Sequence, residues 1–495
     1  MKQLTLSIAA LLCLVAQAQS LPAPPVSPAP ITKYEYDAQG NRTKTVQASG
    51  TLNLSTQATY DTLSRLKDST DAKLGKTQLS YDGLDRTLKV TDPRNLVTQT
   101  PRNGLGDTTA LVSPDTGTAS HTYDAAGNLK TRTDSRGVKA TYSYDALNRL
   151  TRVAYSQGAA SQAYSWAYDQ VGASFTNGIG RLTSSTHPAG STTTRYDPQG
   201  RVTADIQRVT LAAGANPAQV SKTVTYTYDA AGHVTSIVYP SGRKLSISYA
   251  AGQPTSLSLA KNTGSVASPL ISAIQWEPFG APSSWQWQLA SGPQTHARVF
   301  DRSGRLVRYR LGTSVRDLSY DAADRISAYA HYNASTGVAQ PNLNQSFTYD
   351  ALGRLTQTTL ASGAWSFSYD ANGNRTAATV SGSTSNYTTA ATSNRLTSIT
   401  NPSRSFAYDS AGNTTNDGRF SATYDLAGRM ATLTKAGVTS TYSYDGFGRR
   451  VRKFNSTGVA STVIFVYDQA GQLLGEYDSA GVPIREFVWL GSTPV

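Results

Sequence analysis

One short phrase returns along most of the chain. YDAAGNL begins at Tyr123 and YDALNRL at Tyr144, and Tyr60 and Tyr81 stand on the same 21-residue grid. The stretch RNGLGD from Arg102 fills the vacant place between Tyr81 and Tyr123 as a degenerate copy. Further copies start at Tyr36, Tyr168, Tyr196, Tyr228, Phe300, Tyr320, Tyr349, Tyr369, Tyr408, Tyr424, Tyr444, Tyr467 and Tyr477. A fixed period in this range demands a repeat architecture, one supersecondary unit stacked on the next.

The residue types specify the unit. An aspartate opening a type I turn accepts a hydrogen bond from the backbone two residues on, and the fourth position requires a positive φ, which glycine adopts freely. A type I turn followed by a left-handed residue makes a tight hairpin with a bulge. Where glycine is missing, the position holds Asn148, Asn394, Asp85 or Asp324, residue types that tolerate that conformation, with Ser64 the exception. Tyr123, Asp124 and Gly127 therefore read as turn formers, as do Tyr144, Asp145 and Asn148, Tyr349, Asp350 and Gly353, and Tyr444, Asp445 and Gly448. Around each turn the pattern has period two, placing Tyr142 and Tyr144 on one strand face. A lone hairpin is marginal in water, so neighbours must pair edge to edge; about twenty hairpins give roughly forty strands, far beyond the ~10 at which open twisted sheets curl. The prediction is an all-β fold of tandem hairpins coiled into a spiral sheet. Period and spacing leave open whether it closes on a filled core or a hollow.

Composition agrees: 38% apolar, 16% charged, 40 Gly and 28 Tyr in 495 residues favour strands over helical bundles. The net charge of +13 comes from one Arg or Lys per repeat and not from a basic block, which reads as a solvated face and gives no support to nucleic-acid binding. Residues 1–18 read as a secretory signal: a basic Lys2, an apolar run from Leu4 to Val15, and the small-x-small tripeptide at 16–18. Lipid attachment at Cys13 is disfavoured because Leu12 stands where a small residue is expected. Cys13 is the only cysteine, so cleavage after Ala18 leaves neither disulfides nor thiolate ligands. Residues 19–31 form a proline-rich spacer expected to lie outside the fold, and 32–495 the repeat body, more irregular around 205–295. No later stretch approaches the ~18 apolar residues of a membrane-spanning helix, so the expectation is export, to the cell surface or beyond.

Chemistry is sought in vain among the motifs. His121, His187, His233, His296 and His331 form no zinc-protease spacing, and no phosphate loop or nucleophile elbow occurs. The repeated aspartates could supply glycosidase pairs, yet each has a duty to its own turn, and catalytic pairs need individual surroundings that drive two pKa values apart. The expectation is therefore no catalytic residue, no cofactor and no metal. Trp276, Trp285 and Trp287 read either as packing aromatics at a plug or seam or as a ligand platform.

The YDxxGRL units resemble the YD repeats of bacterial RHS and wall-associated proteins, of the B and C components of insecticidal toxin complexes, and of animal teneurins. The resemblance runs from Ile31 to Val495. It implies a spiral of hairpins forming a hollow, cocoon-like shell around a toxic polypeptide. The ending EFVWLGSTPV, from Glu486, is similar to the lead-in to the family's RHS-associated core, whose self-cleaving aspartates match no position here. These readings lead to a secreted, non-enzymatic scaffold that encloses or presents a toxin or associated polypeptide, with an unpaired edge at Val495 for a partner or for self-association. A surface carbohydrate-binding or adhesion protein and a remnant of a larger toxin are the alternatives.

Overall fold

The computed structural model describes residues 20–211, 218–456 and 461–495; the expected signal at 1–18 lies outside them. Apart from one short 3-10 turn at Pro341–Leu343, every regular element is a strand, 44 among the described residues. Within each sheet every strand pairs antiparallel with the next in sequence. Thirty-three run from Thr32 to Ser405, nine from Ala407 to Glu486, and a last two-stranded hairpin from Trp489 to Pro494.

The phrase that dominates the sequence makes the turn expected of it. Ladder register shifts immediately before the repeat tyrosine, as between Ser143 and Tyr144, where Tyr144 faces Leu150. The Asp145 N–H donates to the Arg149 carbonyl and the Asn148 N–H to the Asp145 carbonyl, each at 3.0 Å. Gly127, Gly353 and Gly448 take φ of 80°, 77° and 82°, and Asn148, Asp85, Asp324 and Ser64 hold 59°, 62°, 65° and 59°. Asn394 departs from the expectation and is absent from the left-handed residues. Its loop carries one extra residue, closed by the Ala390 N–H on the Arg395 carbonyl, so no reversal of φ is needed there.

The strip of strands winds back on itself. Arg94 donates to the carbonyls of Ser393 and Ala390 at 2.9 and 2.8 Å, Arg136 to those of Asp425 and Leu426 at 3.0 and 3.1 Å, and Gln207 to that of Phe465 at 2.8 Å. The partners in these bonds are 299, 289 and 258 residues apart, so a second circuit, tightening as it goes, lies beside the first. The YD turns of the second circuit sit on the opposite hairpin ends of the first.

The wall is mostly one sheet thick. Its accessible surface is 27146 Å², against ~17,600 Å² for a compact protein of this mass, because both sheet faces meet solvent over much of the spiral. A true core forms only where the second circuit turns inward. There Val451, Ile464, Val466, Leu474 and Tyr477 pack against Val209, Val224, Leu257, Ile271 and Trp285. The section expected to be irregular continues the meander in strands of up to ten residues, with extra register shifts between Leu257 and Ser258 and between Ser272 and Trp276, and supplies nine of the sixteen buried residues of that core.

One expectation about the ends is corrected. The proline-rich segment is part of the fold: the Ser27 hydroxyl accepts the Tyr320 N–H at 2.8 Å, and Arg305 donates to the Pro28 carbonyl at 3.1 Å. An extended segment with unused carbonyls suits the donors that turn presents. At the other end the outer strands Pro483–Glu486 and Thr493–Pro494 pair on one side only, and the terminus itself folds back. The Trp489 indole donates to the Leu473 carbonyl and the Val495 N–H to that of Val488, each at 2.9 Å, while Leu490 is buried in the core.

Candidate functional site

The tyrosine, the aspartate and the basic or amide residue of the phrase each have a partner, and together these contacts form a bracket between successive hairpins. In the four turns singled out by the sequence the Asp Oδ1 accepts two backbone N–H groups: those of Ala126 and Asn128 at Asp124, Leu147 and Arg149 at Asp145, Leu352 and Arg354 at Asp350, and Phe447 and Arg449 at Asp445. The second oxygen accepts the Nε of Arg149, Arg354 or Arg449 at 2.6, 2.7 and 2.7 Å, or the Asn128 amide at 3.2 Å. Donors from Asn128 and Arg149 hold Asp124 and Asp145 below the usual carboxylate range. Ionised and surrounded by donors, these acids hold turns and are poorly placed to move protons.

The arginine then reaches the next hairpin. Arg354 donates to the Asp370 carbonyl at 2.8 Å while its guanidinium lies 4.9 Å from the centre of the Tyr369 ring; Arg325 does the same to Asp350 at 3.0 Å and Tyr349 at 4.8 Å. In return the tyrosine hydroxyl donates backwards to the preceding hairpin: Tyr123 to the Thr108 carbonyl at 2.9 Å, Tyr144 to Leu129 at 3.0 Å, Tyr349 to Ile326 at 2.6 Å, and Tyr444 to Met430 at 2.8 Å. The expectation of a solvated basic face is thereby corrected: Arg305, Arg354 and Arg325 have side chains only 8%, 16% and 17% exposed. The Asp-to-Arg spacing of four, repeated with the period, was the available signal, since an extended guanidinium on a turn can span one inter-hairpin step.

The tryptophans do not form an open platform. Trp285 is 2% exposed, stacked on His296 at 4.3 Å and edge-on to Trp287 at 6.3 Å, and the Trp276 indole donates to the Pro254 carbonyl at 2.8 Å. Both outer tryptophans pack on the core cluster.

One titratable feature lies outside the repeat phrase. Where the second circuit closes over the first, a cavity of about 480 Å³ is lined by Thr192, Thr194 and Asp205 on one side and Phe447, Arg449 and Gln469 on the other. Burial pushes the Asp205 carboxyl up to about 6, with Arg449 pulling it down and Asp445 adding to the rise. Nearby strand residue His187 is pushed down to about 4 by burial and is neutral at physiological pH. Nothing in the sequence marks Asp205, a single acid on a strand; only the return of the second circuit buries it. Among the described residues no group of three His, Cys, Asp or Glu side chains could hold a metal, and no helix is long and apolar enough to cross a membrane.

Comparison with known proteins places this architecture. The teneurin YD-shell profile matches residues 315–475, and the RHS repeat profile matches 123–160, 177–215 and 218–244. No curated protein sequence matches the chain. Among solved structures, a mutant Photorhabdus luminescens Tc holotoxin pore superposes with a TM-score of 0.71 at 16% identity, over 92% of this chain and 30% of that one. The TcdB2-TccC3-TEV crystal structure gives 0.71 at 17% identity with the same coverage. TcdB2-TccC3 without its hypervariable C-terminal region gives 0.62 at 15%, over 92% of this chain and 32% of that one. The chain therefore spans about 30% of the length of these structures and shares their fold.

Proposed function

The chain belongs to the RHS-repeat and teneurin YD-shell family, and from that premise we propose that it is an exported, non-enzymatic wall that encloses or presents an associated polypeptide. The observation that carries the reading is a sheet with both faces wet, closed circuit on circuit by backbone-directed arginines such as Arg94 and Arg136. Such a strip encloses space without filling it. Its repeated acids are committed to turns, which speaks for a mechanical role. Tyr349 and Tyr369, which a carbohydrate-binding reading would need for stacking, have their rings under guanidinium groups and their hydroxyls on backbone carbonyls.

The test is protection. A protease-sensitive, unstructured reporter fused behind Val495 is expected to be cut far more slowly than the free reporter, and at the free rate once Arg94→Ala and Arg136→Ala open the seam. Cleavage at the free rate in the unaltered protein would exclude enclosure. Secretion that persists after residues 2–18 are deleted would exclude export through that segment.

A further inference from the structure

The two rims of the spiral are unlike the seam between its circuits. At the seam, the second residue after the turn aspartate reaches the circuit above. Leu352 shares a cavity wall with Leu54, Thr56 and Ala72, the Asn372 amide donates to Asp92 at 2.6 Å, and Phe447, though 55% exposed, shares a cavity wall with Thr192 and Thr194. In the first circuit the same turn position carries Leu63, Leu84, Leu105, Leu147 and Val171, exposed by 64%, 66%, 90%, 71% and 70%. Among the described residues nothing is hydrogen-bonded across these tips. Successive turns are two strands apart, ~9.6 Å, so Leu63, Leu84, Leu105, the small exposed Ala126 and Leu147 form an apolar row ~38 Å long. An exposed apolar row of this length suits a docking surface.

The opposite rim, the far hairpin ends of the second circuit, is also open and carries Leu311, Val338, Val380 and Val438, exposed by 46%, 51%, 43% and 41%. The two rims lie on shared columns. The turn at Asp82 leads into the strand Thr87–Thr91 and so to Arg94, which holds the turn at Ser393 and Ala390, and the neighbouring hairpin end is Val380. The turn at Asp145 follows the strand from Lys139, next to Arg136, which holds Asp425 in the hairpin whose far end is Val438. A shift along the spiral axis therefore brings the second-circuit rim of one copy over the first-circuit rim of another, with turn tips meeting hairpin ends as they do at the seam.

We propose that this protein stacks head to tail, the leucine row of one copy seated on the far hairpin ends of a second copy, which continues the spiral across the junction. Such a contact is heterologous and does not close, so it propagates. It goes beyond enclosure, since a shell can hold a polypeptide with or without stacking. With +13 in the full sequence, one charge of it at Lys2, each mature copy is strongly basic, so like-charge repulsion opposes contact and assembly should strengthen as salt screens it.

Sedimentation velocity on the mature protein tests this with two variants. One carries Leu63→Ser, Leu84→Ser, Leu105→Ser and Leu147→Ser; the other carries Leu311→Lys, Val380→Lys and Val438→Lys. The unaltered protein should form a concentration-dependent ladder that lengthens with salt. Each variant alone, with its circular dichroism and melting temperature unchanged, should lose every species above monomer. Mixed, the two should give a one-to-one dimer and nothing larger, because one intact rim remains on each. A wild type that stays monomeric at all concentrations overturns the proposal. So does a ladder that survives in either variant, or a mixture that forms no dimer.

Discussion

Asp350 is buried more fully in its bracket than Asp145 and less fully than Asp445, its side chain 9% exposed. Its Oδ1 takes two turn N–H groups, at 2.9 and 3.0 Å, and its Oδ2 takes Arg354 at 2.7 Å. These are separable duties, because asparagine keeps a carbonyl oxygen for the turn and loses the charge that holds the arginine; the chain itself uses Asn103 in this way, accepting the N–H groups of Leu105 and Asp107. A charge-assisted bond of this kind contributes about 2 kcal/mol and the two turn bonds about 1 kcal/mol each. Asp350→Asn should therefore destabilise locally by about 2 kcal/mol and Asp350→Ala by about 4 kcal/mol. In a repeat body the loss stays near the lesion. Hydrogen exchange of amides in Gln345–Tyr349 and Leu355–Leu360 should accelerate roughly thirty-fold for the asparagine and roughly a thousand-fold for the alanine, at about 1.4 kcal/mol per decade, while Lys139–Tyr144 stays unchanged. Burial alone would raise this carboxyl, but Arg354 and the turn N–H groups outweigh it and leave it below its ordinary value. A depressed pKa stabilises above the unfolded value near ~3.9 and is lost as pH falls through the folded one. The wild-type advantage over the asparagine variant should fade below about pH 4. Equal effects of the two substitutions, or exchange that accelerates throughout the chain, would refute the division of labour.

Three further outcomes follow from the same geometry. Tyr349→Phe removes the 2.6 Å bond to the Ile326 carbonyl and keeps the ring under Arg325, so it should cost about 1 kcal/mol in denaturant unfolding, with a far larger loss for Tyr349→Ala. Gly353→Ala forces a side chain to φ of 77° and should destabilise by about 1–2 kcal/mol, whereas Asn148→Gly should shift the melting temperature little, since glycine holds the left-handed conformation without strain. Asp205, raised to about 6 by burial, binds its proton more tightly folded than unfolded, so its contribution declines as pH rises from about 4 to 6; Asp205→Asn should stabilise the protein at pH 8 by on the order of 2 kcal/mol and leave it unchanged at pH 4, as read by paired denaturant titrations.

What was legible from the sequence is what depends on a few adjacent residues. The hairpin, its bulge, the left-handed conformation at Gly127 and Asn148, and the need for a long coiled sheet all follow from period, turn chemistry and strand alternation. Tyr144 and Asp145 were visible as turn formers for the same reason. The bracket was only half visible: the spacing from Asp350 to Arg354 is in the sequence, but that Arg354 reaches on to Asp370 and Tyr369 depends on the hairpin step in space. What tertiary structure alone decided are contacts between residues some 260 to 300 positions apart. The pitch of the spiral follows from small twists accumulated over dozens of strand pairs, which no local motif encodes. That pitch brings Arg94 under Ser393, buries Asp205 and Trp285, folds Val495 back onto the core, lays the proline-rich segment on Tyr320, and leaves the leucine row of the first circuit as a free rim.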